Sequence, residues 1–162
     1  MNNEPIVRQA TESDHSKLKE IIDLSFPSFY RFFARHSVCS EEGTVLVAET
    51  GGTVLGFAKL IEFNVGATKY GCILWIAVHP LFRRKGVALS LTKEGTDFLK
   101  REGSQAVFAS TQRGNKGSLA TLGKAGFVRV SFLGLWRLFS WRFFSFYRDI
   151  WFAPSEVVLM HR

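Results

Sequence analysis

Three consecutive cations and a glycine, Arg83-Arg84-Lys85-Gly86, sit between two patterned stretches. Before them an apolar run ends at His79-Pro80; after them Val87, Leu91, Phe98 and Leu99 recur at helical spacing. A strand that turns into a helix through such a loop makes an anion site. The first backbone N–H groups of a helix lack intrahelical partners and carry a partial positive charge, so phosphate binds there readily. Gly86 lets the backbone approach a ligand, Ala88 keeps the next turn small, and the three cations offer charge-assisted hydrogen bonds. Taken alone, the same residues also fit a solvated basic loop that binds nothing. A second candidate is Asn115, which opens a short helical stretch ending at Lys124-Ala125-Gly126-Phe127.

These residues need elements to hold them. Ile6-Val7-Arg8 reads as a short strand, and Thr11 to Asp14 supplies helix-start chemistry for a helix to about Ser25. Pro27 breaks it, and a second short segment, Ser28 to Arg35, carries Phe29, Tyr30, Phe32 and Phe33. Thr44 to Thr50 and Thr53 to Phe63 are strands joined by the hairpin signal Gly51-Gly52. Gly71 to His79 is apolar without alternation, which predicts a strand buried on both faces. A helix then runs to about Glu102, stopped by Gly103. Gln105 to Thr111 is a strand, Asn115 to Ala125 a helix, and Phe127 to Val130 and Glu156 to His161 the last strands. The order β-α-α-β-β-β-α-β-α-β-β predicts a mixed α/β (α+β) layer rather than a doubly wound parallel sheet.

The chain has 162 residues, which suits a single domain over residues 1–162. Hydrophobic residues make up 46% and charged residues 22%, the balance of a globular protein rather than a disordered one. The net charge of +7 favours an anionic partner, without choosing among a phosphate-rich ligand, nucleic acid and an anionic membrane. Cys39 and Cys72 have no metal-type spacing and read as reduced thiols, which predicts a cytoplasmic protein. The N-terminal residues show no signal-peptide pattern. The histidines show no metal-ligand spacing, and no metal is expected. His79 reads as a turn or cap residue before Pro80.

Ile76-Ala77-Val78-His79-Pro80 followed by Arg83-Arg84-Lys85-Gly86-Val87-Ala88 resembles the signature of the GNAT (Gcn5-related N-acetyltransferase) family. That family's pyrophosphate loop reads Gln/Arg-x-x-Gly-x-Gly/Ala. Asn115 through Lys124-Ala125-Gly126-Phe127 resembles its second motif, and the resemblance covers roughly residues 5 to 130 plus the last strand. It implies a mostly antiparallel sheet flanked by helices, with splayed central strands, and acetyl transfer from acetyl-CoA to a primary amine on a small molecule, protein or peptide. The pantetheine arm would lie along Ile76, Ala77 and Val78, with the backbone near Val78 polarising the acetyl carbonyl. The pyrophosphate would sit on Arg84, Lys85, Gly86, Val87, Ala88 and Leu89, assisted by Arg83, and Asn115 would help hold the arm. Deprotonated amine would attack directly, with proximity supplying much of the rate.

The chain departs from the family pattern at its proton-transfer groups. The slot where many members carry a Tyr that protonates the departing thiolate is Leu122, and the slot of a Glu base in ribosomal-protein alanine acetyltransferases is Ser110. Tyr147, Tyr70 or Ser118 could serve as the acid; alternatively water carries the proton, or the protein binds acyl-CoA as a non-catalytic sensing module. Glu62 is a candidate contact for the acceptor amine.

Residues 131–153, SFLGLWRLFSWRFFSFYRDIWFA, form an aromatic and basic insertion before the last strand, holding ten of the 23 Phe, Trp and Tyr residues. A membrane span is disfavoured, since each mid-helix Arg or Asp costs roughly 2.5–3.5 kcal/mol. Peripheral membrane contact has Trp and Arg in its favour but an imperfect amphipathic pattern. No nucleic-acid-binding fold accompanies the aromatics, so no nucleic acid is expected. A homodimer interface, self-packing, a wall of the acceptor site and partner docking stay open. With Phe26, Phe29, Tyr30, Phe32 and Phe33, the segment points to an acceptor with a hydrophobic part.

Overall fold

The computed structural model describes residues 4–144, 146 and 155–162. Seven strands form one sheet: β1 (Ile6–Gln9), β2 (Thr44–Thr50), β3 (Thr53–Val65), β4 (Thr68–Val78), β5 (Val107–Gln112), β6 (Val128–Arg129) and β7 (Glu156–His161). Helices of the described residues flank it, among them α1 (His15–Ser25), α2 (Ser28–Cys39), α3 (Val87–Arg101), α4 (Lys116–Lys124) and α5 (Phe132–Phe139). The strand order is β1-β2-β3-β4-β5-β7-β6. The β1–β2, β2–β3, β5–β7 and β6–β7 pairs are antiparallel, whereas β4 and β5 run parallel. This is the mixed layer that the element order predicts, and its mostly antiparallel pairing is what the family resemblance implies.

Local chemistry sets the boundaries. Gly51 and Gly52 have φ of 56° and 77°, the two left-handed positions of a tight hairpin turn between β2 and β3. Gly103 at φ 94° and Gly126 at φ 88° follow α3 and α4, where left-handed residues end helices. The second aromatic segment runs on to Cys39, four residues past the expected stop at Arg35, because Ala34 and Val38 continue its apolar face into the core.

Two compact units divide the chain. The first holds residues through Ile61 together with Leu74–Gly95. Its core joins Leu18, Ile21, Ile22, Ala34 and Val38 of the helices to Val47, Val54, Phe57 and Ala77 of the strands, with Phe26 and Trp75 packed against it. At its edge Arg8 bridges two carboxylates, donating to Asp14 Oδ2 at 2.8 Å and to Glu49 Oε2 at 2.8 Å. Asp14 also receives the Thr11 backbone N–H at 2.8 Å, closing a capping box at the start of the first helical turn.

The second unit holds Glu62–Ile73 and residues from Thr96 onward. Its core is aromatic. Phe63, Tyr70, Phe108, Phe139 and Phe146 pack edge-on, tilted or stacked, with contacting ring centroids between 4.5 and 6.3 Å apart. The described part of the insertion is mostly helical: α5 sends Leu135 and Phe139 inward, and Phe143 and Phe146, past the 3-10 turn Ser140–Arg142, are buried too. Cys72 is buried here, and burial first, then the nearby Glu156 charge, pushes its thiol up to about 12. Among the described residues, no helix is long and apolar enough to cross a membrane.

Strand β4 corrects one expectation. Tyr70, Cys72 and Ile73 are buried as an unalternating apolar run predicts, but Leu74, Trp75 and Ile76 are half-buried. The register with β5 runs from Gly71↔Val107 to Ile73↔Ala109, and the half-buried residues follow directly after it.

The Arg8–Asp14 pair carries a pH prediction. Hydrogen bonding to Arg8 holds the Asp14 carboxyl well below its usual range. A depressed folded-state pKa contributes stability above the unfolded value, near 4, and loses it as pH falls through the folded value. Asp14→Asn should lower stability at pH 7 by about 1–2 kcal/mol, allowing for the part-exposed guanidinium. It should also flatten the fall of Tm between about pH 5 and pH 2. Thermal unfolding across that range checks both.

Candidate active site

The site begins at the end of β4. Its last residues lie hard against β3: a Cβ on Gly56 would come within 2.6 Å of the Ala77 carbonyl oxygen and 3.1 Å of Val78 Cα. Only glycine permits that approach. One residue further, His79 N–H donates to the Leu55 carbonyl at 2.9 Å. The His79 imidazole turns back on its own chain, with Nδ1 accepting from Leu81 N–H at 3.3 Å and Nε2 lying 3.3 Å from Glu20. It caps the 3-10 turn Pro80–Phe82, as the sequence reading expected.

The Val78 carbonyl oxygen is fully engaged. It accepts from Arg83 Nε at 3.1 Å and from the Ser25 hydroxyl at 3.5 Å, and Arg83 Nη2 also reaches Ser25 Oγ at 3.4 Å. Arg83 thus ties the strand end, the loop and the end of α1 together. Arg84 and Lys85 stand exposed beyond it, with the Lys85 ammonium 5.6 Å from the Phe82 ring centroid. The chain then turns through two left-handed positions, Arg84 at φ 61° and Gly86 at φ 80°. For a non-glycine residue that conformation costs about 1 kcal/mol or more, a strain typical of backbone bent to meet a ligand.

Helix α3 starts immediately after this turn. Its first i→i−4 bond runs from Ser90 N–H to the Gly86 carbonyl at 3.0 Å, so the N–H groups of Val87, Ala88 and Leu89 precede the helical ladder. A Cβ at Gly86 would meet nothing within 4 Å, so the space beside it is open. No acidic residue lies in the first turn of α3. Backbone donors, a helix N-terminus and exposed cations with open space beside them suit a pyrophosphate. Ile76, Ala77, Val78, Arg83, Arg84, Lys85, Gly86, Val87, Ala88 and Leu89 all lie in the first unit.

The remaining candidates lie in the second unit. Asn115 caps α4, its Oδ1 accepting from Ser118 N–H at 3.1 Å. Leu122 is buried, and so is Tyr70, whose phenol burial pushes up. Glu62 pairs with Lys69 at 2.7 Å. Tyr147 lies outside the described residues. The sequence reading did not weigh Glu156. Ser110, in the slot read as a lost base, donates its hydroxyl to Glu156 Oε2 at 2.7 Å. Glu156 is half-buried and in no salt bridge among the described residues. The two residues are 46 apart in sequence, and only the β5–β7 register, Ser110↔Val158 and Gln112↔Glu156, makes them neighbours.

An open cavity of about 460 Å³ lies elsewhere, along α2, lined by Ser28, Arg31, Phe32, Arg35 and His36. Its arginines are engaged with Asp23, Arg35 through a close ion pair and Arg31 at 3.9 Å.

If the β3–β4 contact sets the strand end, Gly56→Val should destabilise the protein by about 1–3 kcal/mol, the cost of overpacking. Gly114→Val should change little, because a Cβ there meets nothing within 4 Å. Paired thermal melts check this.

Comparisons agree with the fold. No curated protein sequence matches the chain. Among solved structures, PH1933 from Pyrococcus horikoshii OT3 superposes with a TM-score of 0.72 at 17% identity, covering 98% of each chain. A Bacillus subtilis acetyltransferase in complex with CoA matches at a TM-score of 0.69 and 19% identity, covering 96% of this chain and 97% of that one. The ribosomal-protein-S18-alanine N-acetyltransferase from Escherichia coli matches at 0.68 and 16%, covering 96% and 92%. At these identities the likeness is one of fold. The family model for the GNAT acetyltransferases matches residues 9–127, well over half of the sequence, and with it the chain belongs to the GNAT acetyltransferase family.

Proposed function

We propose that the protein transfers an acetyl group from acetyl-CoA to a primary amine that carries a hydrophobic part. The observation that carries this reading is the loop before α3: left-handed backbone at Arg84 and Gly86, the N–H groups of Val87, Ala88 and Leu89, and open space beside Gly86. In this reading those N–H groups receive the pyrophosphate, with Arg84 and Lys85 adding charge. Arg83 acts mainly by fixing the Val78 carbonyl, and so the strand end along which the pantetheine arm lies. The half-buried exposure of Leu74, Trp75 and Ile76 suits a strand edge that accepts a ligand. The backbone N–H near Val78 polarises the acetyl carbonyl, and Asn115 is proposed as a further contact to the arm. A cytoplasmic location, with unpaired Cys39 and Cys72, belongs to the same reading.

The amine must attack as the free base, adding to the thioester carbon and expelling CoA thiolate. We assign the half-buried Glu156 carboxylate, held by Ser110 in the slot that the family resemblance gives to a base, to take the acceptor's proton. Glu62, the earlier candidate, would first have to leave Lys69. With Leu122 buried in the usual acid slot, the proton that the attacking nitrogen sheds as the amide forms reaches the departing thiolate through water. The alternative is a non-catalytic acyl-CoA sensor, which the two substituted proton-transfer slots favour.

Calorimetry of acetyl-CoA binding tests the cofactor half. Gly86→Glu places bulk and negative charge in the phosphate site and should weaken binding more than tenfold; equal affinity would place the cofactor elsewhere. For the acceptor half, Glu156→Gln should lower kcat/KM for amines by about 10²-fold and leave acetyl-CoA affinity within twofold. Unchanged turnover would make Glu156 a cross-strand structural contact. Tight acetyl-CoA binding with no thiol release across an amine panel would favour the sensor.

A further inference from the structure

The insertion that completes the aromatic core of the second unit also leaves apolar groups outside. Phe132, Leu133, Trp136, Leu138, Trp141 and Phe144 are exposed, Trp141 and Phe144 each by 71%. Three of them cluster. Phe132, Trp136 and Phe144 surround the buried Phe143, with ring centroids 4.9, 6.1 and 6.1 Å from it. Arg137 is exposed among them, and the Arg142 guanidinium lies over Trp141 at 5.3 Å. A cluster of large exposed apolar groups needs an occupant.

Charge narrows the choice. Residues 103–144 contain Arg113, Lys116, Lys124, Arg129, Arg137 and Arg142 and no Asp or Glu. A second copy docking through this face in a two-fold arrangement would bring Arg137 and Arg142 against the same patch, whose described residues hold no acid. A single-stranded nucleic acid would use aromatic faces and cations, but Leu133 and Leu138 offer no ring to stack on. An anionic lipid surface uses every part: indoles settle at the headgroup level, Leu and Phe enter the acyl boundary, and arginines meet lipid phosphates. With 8 residues, α5 is too short to span a bilayer. We propose that this face of α5 and the following turn docks the protein peripherally onto anionic membranes.

Co-sedimentation with vesicles of phosphatidylglycerol and of phosphatidylcholine tests this. The protein should pellet with the anionic vesicles, weakly with the neutral ones, and less as salt rises. Trp141→Ser/Phe144→Ser should reduce the bound fraction more than tenfold, and Arg137→Glu should reduce it too. Because all three residues are exposed, circular dichroism should stay native, which separates lost docking from lost folding. No pelleting with anionic vesicles would overturn the proposal, as would pelleting that the variants do not reduce. It would equally fail if analytical ultracentrifugation gave a dimer abolished by the same variants. Preferential capture of a single-stranded oligonucleotide over vesicles would likewise assign the face to another partner.

Discussion

The carbonyl oxygen of Val78 is the point from which the candidate cofactor site is set out. It closes the last residue of β4, and the side chains of Arg83 and Ser25 both donate to it. On the other side, Gly56 lets β3 press against Ala77 and Val78. A strand end gripped from both sides leaves little freedom for the eight residues before α3. His79 caps the intervening 3-10 turn with its own imidazole, and the left-handed Arg84 and Gly86 complete the reversal. The first N–H groups of α3 are thus presented by a loop whose two ends are fixed. Preorganised donors of this kind need no rearrangement when negative charge arrives.

The same pin divides labour among three adjacent cations that look equivalent in sequence. Arg83 is spent on backbone and hydroxyl oxygens, which suits a planar guanidinium with several donors. Arg84 and Lys85 project outward, where charge attracts an anion over a longer range. Loop charge alone would make a weak, salt-sensitive site; loop charge on a fixed helix N-terminus makes a directional one.

Much of this was legible before any coordinates. The Gly51-Gly52 hairpin, the stop at Gly103, the Asn115 cap and the basic turn are local features, decided by residues within a few positions of each other. What escaped reading depends on partners distant in the chain. The carboxylate beside Ser110 could not be read from its neighbours in sequence, because Glu156 lies on another strand, 46 residues later. The half-buried middle of β4 reads as fully buried because hydropathy does not report how far the neighbouring register extends. The aromatic insertion was ambiguous for the same reason. Its helical repeat is short, and only Phe63, Tyr70 and Phe108 on the strands decide that Phe139 and Phe146 turn inward while Trp141 and Phe144 remain outside.

The central claim is that acetyl-CoA is held by the backbone of the loop and first turn of α3. Backbone amide NMR on the intact protein, titrated with acetyl-CoA, tests it residue by residue. The account predicts the largest shifts at Arg84 to Leu89 and along Ile76 to Val78, with the loop amides moving as well when 3′,5′-adenosine bisphosphate or pyrophosphate replaces the full cofactor. Shifts confined to the α2 cavity around Arg31 and Arg35, or to the aromatic face of α5, with the amides of Val87, Ala88 and Leu89 unmoved, would contradict it.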